Sequence, residues 1–330
     1  MNAIVQTAFG DPSQVLIPAD LPQPQPGPGQ VRVRVVSTTV NTPDWLCTRG
    51  QPYFLRPMFG LFTPRAPVRG TDFAGVVDAL GPGVTEWAVG DEVLGSTGGF
   101  PFARTAPGTF RTHTLAPVDR LARKPAGLEW DHAAAAVMSG VVALQAFRDV
   151  APVQPGHRVL IVGASGAIGT FAVPLARSLG AHVTAVCSGS NAALVRELGA
   201  DSVIDHGTTD WTTLDEAWDV ILDNVMVAPV GAARRRLRPG GVLLPNSVGQ
   251  SPWWGPLPWL VAKATAGQAM RTIEHQPTRA NLDAVVSALV QGRTRCVMDG
   301  VWPLLQAGEA VARKASHRGR GNVGIRVAEG

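Results

Sequence analysis

The segment Arg158-Val-Leu-Ile-Val-Gly163-Ala-Ser-Gly166-Ala-Ile-Gly169 constrains the fold of this chain more than any other. An apolar run of strand length passes into a glycine-rich turn, and the turn opens a helix expected over 167–179. A dinucleotide pyrophosphate needs this arrangement, with backbone close enough to touch it and a helix N-terminus aimed at its charge. Counted against G-x-G-x-x-G, the three glycine positions are Ala164, Gly166 and Gly169. Ala164 keeps a tight turn only if its φ stays negative. Gly166 lets the backbone approach phosphates, and Gly169 lets the helix lie against the strand. Ser165, Ala167 and Ile168 complete this candidate cofactor turn; taken alone, the motif also reads as a purely structural turn.

The flanking sequence favours the nucleotide reading. His182–Cys187 is a second apolar run, ending in the polar loop Ser188-Gly-Ser-Asn191. A helix from Ala192 to Leu198 and a short strand Ser202–Asp205 follow. Asp219–Val225 and Gly241–Val248 supply two more strands, separated by an Arg-rich segment. Near-continuous apolar strands alternating with helices imply a doubly wound parallel sheet covered on both faces, a Rossmann domain. Pro174, about two turns into the first helix, predicts a kink or a broken hydrogen bond.

With 330 residues, the chain is expected to hold more than one core. Its 45% hydrophobic and 16% charged residues suit a folded enzyme and exclude a disordered or fibrous class. The net charge of +4 comes almost wholly from arginine, with Lys only at 124, 263 and 314. No basic stripe interleaves with aromatics, which argues against a nucleic-acid partner. Cys47, Cys187 and Cys296 form neither a metal spacing nor an even disulfide framework, which suggests a reducing, cytoplasmic compartment. The apolar run Trp253–Ala262 is too short and Pro-broken to span a bilayer. Its aromatics could line a substrate pocket, seal a subunit interface or rest on a membrane surface; pocket or interface is favoured, with core filling as the competing reading.

Residues 1–124 read differently from the middle of the chain. Short alternating runs (Val31–Val36, Phe73–Val77, Asp91–Leu94) are broken by Pro and Gly, and the spacer Pro22–Pro28 marks an extended loop. This pattern predicts a partly closed, mostly antiparallel β domain. An alanine-rich helix, Asp131–Asp149, leads into the Rossmann domain over 125–265. Residues 266–330, with a helix Leu282–Val290 and a final strand Asn322–Val327, are expected to return to the first domain.

In this order, the β domain, Asn41-Thr-Pro-Asp44, Gly70-Thr-Asp-Phe-Ala-Gly75-Val-Val, the Gly90-Asp-Glu-Val turn and the Gly163–Gly169 turn resemble the medium-chain dehydrogenase/reductase superfamily. The match runs over nearly the whole chain and is most similar to the zinc-free quinone oxidoreductase-like and enoyl reductase branch. It implies a GroES-like β-barrel domain beside the Rossmann domain, NADPH as cofactor and a homodimer. Asn322-Val resembles the family's closing strand, which puts Asn322 among the implied cofactor contacts.

Zinc-dependent relatives carry a His-Glu pair where this chain has Thr71-Asp72, a Cys near Thr42 and a four-Cys lobe between residues 90 and 115. Here the lobe is shortened to Gly95–Arg104 without one cysteine, so no metal site is expected. Without a Lewis acid, simple alcohol oxidation loses its usual electrophile. NAD-preferring folds place Asp or Glu after the second strand, whereas Ser188 and Asn191 are neutral, which favours NADPH. Relatives often carry Lys or Arg at Asn191 and Tyr at His206; a helix cap and a surface loop are the competing readings of these two.

The implied chemistry is hydride transfer to a quinone or to an activated C=C of an enone, enoyl thioester or polyene, with ring closure open to the resulting enolate. The substrate is expected to be bulky, apolar and unsaturated. Asn41 would hold cofactor or substrate near the nicotinamide, or else stabilise a turn. Tyr53, the only tyrosine, would donate the proton to the enolate, or else line the pocket. Val142 stands where relatives often place Thr against the nicotinamide. Asn224, Asn246 and Ser247, at ends of later strands, lie on the ligand-binding edge of an open sheet. Two alternatives stay open: an NADPH-dependent carbonyl reductase, and an NADPH-binding protein without turnover.

Overall fold

A computed structural model of the chain describes residues 2–98, 107–247, 253, 261, 263 and 267–329. The chain divides into two compact units, one of Met1–Met138, Gln276–Ser287 and Met298–Gly330, the other of Ser139–His275 and Ala288–Val297.

The first unit is built on the long strand Gln30–Val40. Its residues alternate at first, with Val31, Val33 and Val35 buried and Arg32 and Arg34 less so. From Val35 to Val40 every residue is buried, because this half of the strand is covered on both faces. Across the sheet the order is Met298–Pro303, Asn322–Arg326, Gln30–Val40, Asp72–Leu80, Glu92–Ser96, Leu121–Arg123, and His113–Pro117 also pairs with Gln30–Val40. Every pairing is antiparallel except that of Met298–Pro303 with Asn322–Arg326. The closing strand pairs with the N-terminal part of the chain, Val323 opposite Val40. Phe73, Val77, Trp87, Val93 and Leu121 pack on the valines of the long strand to form one core. Asp131 anchors to this sheet through Arg326 and Ser37, whose hydroxyl donates to Asp131 Oδ1 at 2.6 Å.

The second unit is a parallel sheet ordered Ser202–Asp205, His182–Cys187, Arg158–Val162, Trp218–Asp223, Leu237–Pro245. Leu160, Ile161, Ile221 and Leu222 are fully buried, as strands sandwiched on both faces require. The helix after the glycine turn, Ala167–Ser178, runs unbroken through Pro174. The proline therefore removes its own donor to the Thr170 carbonyl without ending the helix, because Phe171, Ala172, Val173, Leu175 and Ala176 are all held in the core.

Trp130–Val150 is one helix containing two wider turns, Ala136–Gly140 and Ala146–Val150. Among the described residues it is the one helix long and apolar enough to cross a membrane, and 72% of its most apolar window is buried inside the protein, as in a core helix. Apart from Trp253, the aromatic run 253–259 lies outside the described residues, as do residues 99–104 of the shortened lobe.

Candidate functional site

In the parallel sheet, the strands Arg158–Val162, His182–Cys187, Trp218–Asp223 and Leu237–Pro245 all end on the same edge, and the candidate cofactor residues of this unit follow those ends. Gly163 takes the left-handed conformation at φ +74, so Ala164 is spared it and is fully buried. The Gly163 and Ala164 amides both donate to the Val186 carbonyl at 3.0 Å, pinning the turn to the neighbouring strand. A Cβ on Gly169 would lie 2.4 Å from the Gly163 carbonyl oxygen and 2.5 Å from that of Ala164. The helix therefore lies directly on the turn, a contact only glycine permits. Gly166, with no side chain to cap the helix, leaves the first helical amides unoccupied by side chains.

Asn191 joins two parts of this edge. Its amide nitrogen donates to Ser165 Oγ in the glycine turn and to Ser188 Oγ in the next loop, each at 3.1 Å. Both amide hydrogens are thus committed inside the protein rather than presented to a ligand. Ser188 Oγ also lies 3.2 Å from Ser190 Oγ. His206 is exposed, and its backbone amide donates to the Cys187 carbonyl at 3.1 Å. The sequence reading passed over Asp205. Its carboxylate lies so close to Gly189 that a Cβ there would meet Oδ2 at 2.4 Å, and Oδ1 accepts from the Gly207 amide at 2.9 Å. A carboxylate therefore borders the neutral serine loop. On the other side, Asn246 Nδ2 donates to Asn224 Oδ1 at 2.8 Å, while Asn224 Nδ2 reaches the Val162 carbonyl at 3.2 Å. Ser247 follows in a bend, half-buried. Val142 is buried in Val141–Gln145 of the same unit. A groove of about 660 Å³ lined by Arg234, Arg235, Arg238 and Arg271 opens where the strand Leu237–Pro245 begins, at the opposite edge from these residues.

In the first unit, Asn41 immediately precedes the helix Thr42–Arg49. Asp44 accepts the Asn41 backbone amide at 2.7 Å and the Gly70 amide at 3.0 Å. The Asn41 side-chain amide instead donates to Asp72 Oδ2 at 2.8 Å. Asp72 also accepts from Thr71 Oγ1 at 3.0 Å. Both carboxyls are buried, and burial pushes Asp72 up to about 7 and Asp44 up to about 6. Hydrogen bonds from Asn41 hold both values below what burial alone would give, while Asp44 raises its neighbour further. Asp72 was legible in the sequence only as a place lacking a zinc ligand; its grip on Asn41 needed the fold.

Tyr53 opens the turn Tyr53–Leu55 and is half-buried. Gln51 Nε2 donates to its hydroxyl at 3.4 Å, and the Arg56 guanidinium sits 5.6 Å from its ring centre. Asn322 is buried in the first unit at the start of the closing strand.

A family model described as "Zinc-binding dehydrogenase" matches residues 198–323, and one described as "Alcohol dehydrogenase GroES-like domain" matches residues 27–126. A probable zinc-binding mitochondrial oxidoreductase of Arthroderma benhamiae is 30% identical over 81% of this chain and 81% of its own length. The chain belongs to the medium-chain dehydrogenase/reductase superfamily. Its place within the superfamily is the quinone oxidoreductase-like branch. A chloroplast envelope quinone oxidoreductase homolog of Arabidopsis thaliana is 27% identical over 98% of this chain and 97% of its own. The structure of the quinone oxidoreductase from Coxiella burnetii matches with a TM-score of 0.87 at 25% identity, over 99% of both chains. The two sheets are accordingly the Rossmann and GroES-like sheets of this oxidoreductase superfamily.

Among the described residues no three His, Cys, Asp or Glu side chains converge. The Asp72 carboxylate accepts from both Asn41 and Thr71. Burial pushes the Cys47 thiol up to about 12.

Two outcomes follow from this geometry. Gly169→Ala should destabilise the protein by roughly 2–4 kcal/mol, since backbone rather than a mobile side chain meets the new methyl. Gly166→Val should leave folding nearly intact while removing dinucleotide binding, since a Cβ there meets only the Gly163 oxygen, at 3.3 Å. Urea unfolding and cofactor titration of both variants would separate the roles, and unchanged cofactor affinity in Gly166→Val would refute the site. The second outcome concerns pH. Asp72 and Asp44 hold protons more tightly folded than at the ordinary 3.8, so the folded state binds more protons across the window from about pH 4 to 7. Stability should therefore fall as pH rises through that window, and Asp72→Asn should flatten the fall. Denaturant midpoints measured across this range would check it; an unaltered slope would contradict it.

Proposed function

We propose that this chain is a zinc-independent reductase that uses NADPH to reduce an electron-poor carbon, that of a quinone or of an activated C=C. The observation that carries the reading is the state of Asp72: the acid at the metal position is buried and holds the amide of Asn41 instead. A group so engaged serves as an orienting acceptor and leaves no electrophile to stabilise an alkoxide. An acceptor that is already electron-poor does not need one. When bound, NADPH supplies the hydride; the residues of this chain bind, orient and protonate.

The backbone of Ala164–Gly169 and the N-terminus of the helix Ala167–Ser178 would hold the pyrophosphate. Ser188 and Ser190 would offer neutral donors to the ribose phosphate, and Asp205 at the edge of that loop opposes its charge, which makes the preference over NADH modest. Asn224 and Ser247 complete the sheet edge. Asn41, fixed by Asp72, would present its remaining amide atoms to cofactor or acceptor, and the Tyr53 hydroxyl would give a proton to the enolate or to the quinolate oxygen left by hydride addition. The likeness to quinone oxidoreductases favours a quinone as first acceptor to try.

Nicotinamide absorbance followed against quinones, enones and enoyl thioesters, with NADH in parallel, tests the reading. Acceptor-dependent oxidation that survives dialysis against a strong chelator is expected; turnover lost to the chelator and restored by zinc would overturn zinc independence. Reduction of C=O with C=C left intact would assign a carbonyl reductase. Tyr53→Phe should lower kcat by about 10²-fold or more on an enone, with NADPH affinity unchanged. Full activity in that variant would retire Tyr53 as the proton donor.

A further inference from the structure

Between Asp44 and Asp72 the chain carries no acidic residue but four arginines, Arg49, Arg56, Arg65 and Arg69. Within this stretch the turn Tyr53–Leu55 and the helical turn Arg56–Phe59 lead into a tight loop. Phe59 is buried and anchors the base of the loop. The Gly60 amide donates to the Arg56 carbonyl at 2.9 Å and the Arg65 amide to the Phe59 carbonyl at 2.8 Å, so the loop is closed on itself. Gly60 has φ +123, and a Cβ there would fall 1.9 Å from the Thr63 carbonyl oxygen. This glycine-dependent turn holds Leu61 and Phe62 at its tip, 57% and 84% exposed, with Met58 (49%) and Phe54 (43%) beside them. Apolar side chains held out in water by a closed turn gain free energy from any surface that covers them.

Cations flank the tip. Arg65 is exposed where the loop closes, and the Arg56 guanidinium lies over the rings of Phe9 (4.6 Å) and Tyr53 (5.6 Å). Arg49 is exposed at the end of Thr42–Arg49. We propose that this prong docks the protein on an anionic lipid bilayer. Phe54, Met58, Leu61 and Phe62 enter the boundary between headgroups and acyl chains, while the exposed Arg49 and Arg65 meet lipid phosphates. Charge complementarity selects this occupant: a second copy meeting the first through the same patch would set like arginines against each other. The association is peripheral, shallow and sensitive to salt.

Flotation of the full chain with vesicles of phosphatidylcholine alone, or mixed with phosphatidylglycerol, tests the proposal without any measurement of turnover. Binding to the anionic vesicles about tenfold or more above that to neutral ones is expected, weakening with added salt. Phe62→Ser and Arg65→Glu should each lower partitioning by roughly tenfold, with unchanged melting temperatures. Three results would overturn it: no flotation with anionic vesicles, variants that float like the parent, or a solution dimer that Phe62→Ser converts to monomer while vesicle binding is absent.

Discussion

The approach of the helix Ala167–Ser178 to the turn at Gly163 and Ala164 is the contact on which the nucleotide half of this molecule depends. Two carbonyl oxygens stand within 2.5 Å of where a side chain on Gly169 would begin. Because that side chain is missing, the helix can start immediately above the strand end. Its free amides then face outward at the edge where the other strands also finish. The same packing explains why Pro174 is tolerated: the helix is held by its buried face rather than by a complete set of backbone bonds.

The antiparallel unit is organised by a different constraint, two buried carboxyls. Asp44 and Asp72 collect donors from Asn41, Gly70 and Thr71, and in doing so fix the start of the helix Thr42–Arg49 against the strand Asp72–Leu80. Burying acids is unfavourable unless donors converge on them. Here one of those donors, Asn41, is itself a candidate site residue, so the local electrostatics and the orientation of Asn41 are one property.

Much of this was legible in the sequence, for identifiable reasons. The strands from Arg158 onward are continuous apolar runs, and the alternation from Val31 to Val35 marks a half-covered strand, so both sheets follow from periodicity. The glycine turn follows from spacing. What spacing does not encode is pairing between distant side chains. Asn191 was read as a donor for a ligand, yet its amide joins Ser165 to Ser188, residues 26 and 3 positions away. Asp72 was read as an absent ligand, yet it grips Asn41 across 31 residues. Asp205 escaped notice because it ends a strand that looks unremarkable until that strand lies beside the serine loop. Periodicity reports which face of an element is covered and says nothing about which polar group meets which.

The bridge made by Asn191 has a thermodynamic meaning for the second loop. A lysine or arginine at this position would be a long, mobile chain whose freedom is surrendered when a phosphate arrives. The short amide, tied at both ends, has already surrendered its freedom during folding. Under the proposed reading, recognition at this edge would exchange attraction for preorganisation: a weaker pull on the dinucleotide, with a smaller entropy loss on arrival and a response to ionic strength correspondingly blunted.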